Sequence, residues 1–250
     1  MRKFTSMAVA GILGLTGLLA AGASSASPIV FQTVSGATAG GNPVSASASF
    51  SLSGNMLQIV LTDSQPNPIT VAQLISGLSF TLSNGLSSGS LSGSSANFIH
   101  VNTTGTFYSD GSGATTWLLQ SSTSGFDLCE ICYNVNGGAR AAELIIGPPD
   151  SQDIYSGAMG SISGNRPHNP FINQSGSYTL DIPGLSSSDT ISNVVFRFGT
   201  TFGQVTSDGV CTDNCGGTSV PEPGALALFA AGLLGCALFI NRRRRAARQS

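Results

Sequence analysis

The sequence is poor in charge and nearly devoid of lysine. Only 9% of its 250 residues are Asp, Glu, Lys or Arg, against roughly a quarter in an average soluble domain, and its single lysine is Lys3. Between Ser27 and Ser219 the cations are Arg140, Arg166 and Arg197, set against eleven carboxylates for a net of −8. Neutralising phosphates takes clustered Lys and Arg, so this segment argues against a nucleic-acid ligand. Histidine is equally scarce: His100 and His168 are the two in the chain. General bases are therefore few, and no Gly-x-Ser-x-Gly elbow lies at a strand-to-helix junction. Helical periodicity is missing between the two ends. Solubility rests instead on Ser, Thr, Asn and Gly, as in many exported β proteins.

The ends differ from the middle. Arg2 and Lys3 precede an apolar stretch, Met7 to Ala21, and small residues follow. This is the pattern of a secretory signal over residues 1–26, with cleavage expected after Ala23 or Ala26. About 15 apolar residues fall short of the roughly 20 that a spanning helix needs. Residues 224–240, by contrast, form an uncharged apolar run of 17 residues, followed by Asn241 and by Arg242, Arg243, Arg244 and Arg245. Such a run reads as a short transmembrane helix whose arginines act as the stop-transfer signal and stay cytoplasmic, leaving Ser219 outside. The two ends, read independently, place the middle on the same far side of one membrane.

Val220, Pro221, Glu222 and Pro223 stand immediately before that run. Both prolines hold φ near −65° and lack an N–H, so Pro-Glu-Pro is a stiff, extended peptide carrying one negative charge. This motif, the apolar segment and the arginine cluster over residues 220–250 resemble the PEP-CTERM sorting signal of Gram-negative bacteria. The resemblance implies that the tail is a substrate of an exosortase, a membrane-embedded transpeptidase-like enzyme of organisms that make exopolysaccharide. It also implies passage through the Sec and signal-peptidase machinery and at least transient residence in the inner membrane. About thirty residues carry it, and it is silent about the domain being sorted.

Within residues 27–210, period-2 alternation recurs. Val44, Ala46, Ala48, Phe50 and Leu52 alternate with serines, Ser53-Gly54-Asn55 makes a turn, and Leu57, Ile59 and Leu61 answer as the second arm of a hairpin. Leu78, Phe80 and Leu82 run into Asn84-Gly85; Tyr178, Leu180 and Ile182 stop at Pro183-Gly184; Val194, Phe196 and Phe198 complete a fifth strand. Further short candidates are Phe98 to Val101, Thr116 to Gln120, Phe126 to Val135 and Ala142 to Ile146. Leu86 to Ser95 is Gly/Ser-rich and reads as a loop, and residues 211–219 read as a flexible linker. The expected fold is all-β: one antiparallel sandwich or jelly-roll-like domain.

Export makes disulfides the default for Cys129, Cys132, Cys211 and Cys215, with three connectivities open. On a regular strand Cys129 and Cys132 would face opposite ways, so either the segment turns there or each finds a partner near Cys211 and Cys215. A Cys₄ zinc site and a thioredoxin-like redox pair are weaker alternatives, and Cys236 reads as a packing residue of the tail. No catalytic set, metal site or cofactor is expected. Calcium is the metal that the loop carboxylates Asp150 and Asp153, or the segment Asp208 to Asp213, could suggest, without EF-hand spacing. A ligand site is sought first at His168, in the polar run Arg166-Pro167-His168-Asn169, and at Trp117.

Together these readings describe a non-enzymatic surface or matrix protein associated with exopolysaccharide. The rivals are a carbohydrate-binding module, which exposed aromatics such as Trp117, Tyr108, Tyr133 and Tyr155 would serve, although one tryptophan among alternating apolar residues is usually core, and a secreted hydrolase built around His168.

Overall fold

The serine-spaced apolar positions 46 to 52 bury alternate side chains, and that alternation is the signature of a strand with one face on a core. A computed structural model describes residues 27–122, 125–133 and 142–215, all within one compact unit. Among them lie β1 (Ile29–Thr33), β2 (Thr38–Ala39), β3 (Asn42–Pro43), β4 (Ala46–Ser53) and β5 (Met56–Asp63). There follow β6 (Ile75–Leu82), β7 (Ser90–Val101), β8 (Phe107–Gly113), β9 (Leu118–Ser122) and β10 (Gly125–Cys129). The last four are β11 (Ile145–Ile146), β12 (Phe171–Asp181), β13 (Ile191–Phe198) and β14 (Val205–Asp213). A single 3-10 turn, Val71–Gln73, is capped by Thr70 and Gln73. No helix among the described residues is long and apolar enough to cross a membrane. The signal segment, the sorting tail and Cys236 lie outside the described residues.

All five strands expected from alternation are present. The 46–63 hairpin closes at Gly54-Asn55 with Ser53 opposite Met56, and Gly54 supplies the positive φ of 56° that the tight turn requires. The architecture is all-β, but the strands do not divide into two stacked sheets. Twelve of them hydrogen-bond into one sheet, in the order β8-β7-β12-β5-β4-β1-β14-β13-β6-β10-β9. The two-residue β11 pairs parallel with β12 and antiparallel with β6. Through it eight strands close into a barrel-like ring, while β7–β8 and β10–β9 extend outward as wings. Closure removes the free edges that the ring strands would otherwise present.

Several expected boundaries move. Leu86 to Ser95, expected as a loop, contributes the first half of β7, paired with β12 from Ser90 opposite Asp181 to Ala96 opposite Gly176. Its side chains are mostly exposed, so no face is marked by hydrophobic spacing and backbone pairing alone makes the strand. The supposed linker from Cys211 is strand as far as Asp213, where β14 pairs with β1. The candidate strand from Phe126 to Val135 ends at Cys129, and Ala142 to Ile146 contracts to Ile145–Ile146.

The core is layered with phenylalanine. Phe31, Phe50, Phe80 and Phe126 form a chain of ring contacts, with centroids 5.9, 5.3 and 5.4 Å apart in turn. Edge-to-face and offset contacts of this kind add to the burial term. A smaller cluster around Ile99, Val101, Ile146, Tyr155 and Phe171 fills a second pocket of the interior.

Candidate functional site

On β6 the side chains of Leu78, Phe80 and Leu82 enter the core, so Gly77, Ser79 and Thr81 face outward. Register extends that outer face across four strands. Val195 of β13, Ser79, Asp127 of β10 and Gln120 of β9 lie in one row, and Arg197, Gly77, Cys129 and Leu118 lie in the next. The guanidinium of Arg197 reaches across β6 and donates to the Asp127 carboxylate. It has room because residue 77 has no side chain: a β-carbon there would sit 2.8 Å from Arg197 Nε. The ion pair is largely buried, Arg197 being 6% exposed, and burial strengthens the attraction while raising the cost of losing either partner.

An aromatic wall stands over this pair. The Arg197 guanidinium carbon lies 4.7 Å from the centroid of the Phe202 ring, a cation–π contact. Tyr133 packs beside Phe202 at 5.5 Å and is itself 61% exposed. The Gln120 side-chain amide donates to the Tyr133 carbonyl at 2.8 Å, and the Cys129–Cys132 disulfide immediately precedes Tyr133. On the opposite side β13 carries a register shift between Ser192 and Val195, where Asn193 takes a φ of 49° and donates to Thr81 Oγ1 at 3.0 Å. A bulge of this type re-aims a side chain. The result is a cleft of about 920 Å³, floored by Asp127 and Arg197, walled by Tyr133 and Phe202, and rimmed by Gln120, Ser121, Thr81 and Asn193. Its size falls within the roughly 300–1,000 Å³ of small-ligand clefts.

The residues first sought as a ligand site are not brought together. Trp117 is 1% exposed, tilts against Tyr178 at 5.0 Å and donates its indole N–H to the Glu143 carbonyl at 2.9 Å. It is a core residue. Asn169 accepts from the Val101 N–H at 2.8 Å and donates to the carbonyls of Val101 and Asn165, which pins its loop to the end of β7. Its neighbour Arg166 is exposed and His168 half-buried. His100 lies on β7 with its ring stacked on Tyr108 at 5.1 Å. The Asp150 carboxylate accepts from Gln152 N–H, Ile154 N–H and Ser156 Oγ, and these bonds, that of Ser156 foremost, hold its pKa below the ordinary carboxylate range. No group of three or more metal-ligating side chains occurs among the described residues.

The exported cysteines pair locally, Cys129 with Cys132 and Cys211 with Cys215. The chain turns after Cys129, which resolves the parity conflict in that segment. Sequence reasoning missed the cleft. Its legible signals were Tyr133, one of the aromatics a sugar-binding surface would use, and Arg197, a charge inside an otherwise apolar alternation.

What these observations define is an all-β, disulfide-bearing domain with an open polar–aromatic cleft where the ring strands β13 and β6 meet the β10–β9 wing. The chain carries a PEP-CTERM protein-sorting motif: the model of that family matches residues 219–245. The motif implies export, processing by an exosortase and placement at the cell surface. No curated protein and no solved structure matches the chain.

Proposed function

We propose that this chain is a non-catalytic protein of the cell surface or extracellular matrix, associated with exopolysaccharide. Its tail crosses the inner membrane once, with Arg242 to Arg245 inside, until exosortase acts near Val220 to Pro223. The observation that carries this reading is the sorting motif over residues 219–245, placed after a β domain whose surface depends on neutral polar side chains. Two residues that a ligand site at the 166–169 loop or at Trp117 would have used are committed to structure: Trp117 packs in the core, and the Asn169 amide holds backbone.

The test is made in the host. Mature protein should begin after Ala23 or Ala26, lack the arginine cluster and fractionate with the extracellular polysaccharide. Replacing Pro221, Glu222 and Pro223 by alanine, or deleting the exosortase, should hold the intact tail in the membrane fraction. Loss of polysaccharide synthesis should release the mature protein into the medium. Uncut chain in the cytoplasm would overturn the reading, as would polysaccharide or ester turnover abolished by His168→Ala.

A further inference from the structure

We infer that the cleft over the Arg197–Asp127 pair binds an uncharged saccharide chain. The inference deepens the matrix reading above and rests on it only for the origin of the ligand. Charge decides the class first. Among the described residues, Arg197 is the only cation lining the cleft, and it is already neutralised by Asp127 and stacked against Phe202. A uronate, phosphate or sulfate would have to compete with Asp127 for a largely buried guanidinium, at the cost of leaving that carboxylate unpaired. An uncharged ligand meets no such penalty.

The remaining lining matches what a sugar ring offers. A pyranose has one apolar C–H face and an edge of hydroxyls that both donate and accept. Tyr133 presents an exposed ring next to Phe202, a flat apolar surface with low entropy cost on binding. Around it stand groups that donate and accept without formal charge, the amides of Gln120 and Asn193 and the hydroxyls of Ser79, Ser121 and Thr81. Such groups satisfy a ligand's hydroxyls as they leave water. The wall is also well supported: the Cys129–Cys132 bridge and the Gln120 bond to the Tyr133 carbonyl hold the chain on either side of that ring.

The test uses the full chain purified in detergent and titrated with neutral hexasaccharides of glucose and of N-acetylglucosamine, with the host's own extracellular polysaccharide, and with a galacturonate hexamer. At least one neutral probe should bind, with an affinity that does not change on adding salt. Tyr133→Ala should weaken that binding about tenfold with an unchanged melting temperature, because the ring is exposed. Tyr133→Phe should retain it, and Gln120→Ala should weaken it by a smaller factor. Binding to none of the neutral probes, preference for the galacturonate hexamer, or undiminished binding by Tyr133→Ala would each overturn the inference. The sorting proposal fails separately. Protein that binds sugar in vitro but stays uncut in the host counts against that proposal alone.

Discussion

Gly77 and Arg197 face each other across β6 and β13, and the guanidinium occupies the space that a side chain at position 77 would take. Neither residue explains itself alone: the glycine sits in a strand, where it weakens pairing, and the arginine interrupts an apolar alternation. Gly77→Ala should push Arg197 off Asp127 and lower stability by about 1–3 kcal/mol, as other overpacking changes do. Urea unfolding measures it, and an unchanged midpoint would show that the guanidinium has other room.

The ion pair itself can be taken apart. Asp127→Ala leaves a nearly buried cation without its partner and should cost about 3 kcal/mol. Replacing both residues by apolar ones of similar size, Asp127→Leu with Arg197→Met, should recover much of that loss, because no charge then remains buried. A double variant as unstable as the two single losses added together would contradict this account.

Asp63 should make stability depend on pH. Its carboxyl is fully buried at the end of β5; one oxygen accepts from the Gln65 N–H at 2.9 Å, and the other has no partner among the described residues. Burial pushes its pKa well above the usual carboxylate value of 3.8, against the opposing bonds from Gln65 and Gly147. A group whose pKa is raised by folding contributes stability that is fully present below its unfolded pKa and lost as pH rises through its folded one. Unfolding free energies should therefore fall, relative to Asp63→Asn, as pH climbs from acid toward neutrality. Parallel curves for the two proteins would remove Asp63 from the explanation.

Trp117 serves as the control for any binding experiment. Trp117→Ala should destabilise the domain by about 3–5 kcal/mol, the usual cost of a large buried aromatic. Trp117→Phe should cost less, losing chiefly the bond to the Glu143 carbonyl. Binding lost in the alanine variant is then loss of fold, which circular dichroism would register at once.

The cysteines give a covalent prediction. Peptide mapping without reductant should find Cys129 joined to Cys132 and Cys211 to Cys215, with no cross-links between the pairs. These bridges span three and four residues, so each constrains the unfolded chain little. Reduction should leave the β fold intact while loosening the segment that carries Tyr133. A cross-linked pair such as Cys129 with Cys211 would refute the local pairing.

Strands with one buried face were readable in the sequence because a pleated strand exposes alternate residues, and Phe50, Leu57, Phe80, Tyr178 and Phe196 follow that period. The first half of β7 was not readable. Its Ser and Gly side chains carry no hydrophobic signal, and only pairing with β12 makes it a strand. Trp117 was legible as a core tryptophan from its apolar neighbours, but its bond to Glu143, 26 positions away, was not, and Asn169 was legible as notable but not as structural, since Val101 lies 68 positions away.

The chain by itself determined its all-β class and carries its sorting motif, because both depend on local order: alternation within strands, and a stiff acidic tripeptide followed by an apolar run and arginines. Tertiary structure decided that one sheet closes on itself instead of splitting into two, since closure hangs on Ile145 and Ile146 meeting strands that lie far apart in sequence. It also decided where the cleft is. Asp127 and Arg197, separated by 70 positions, become neighbours only through the register of β13, β6 and β10, and register is a property of the paired strands that neither segment holds alone.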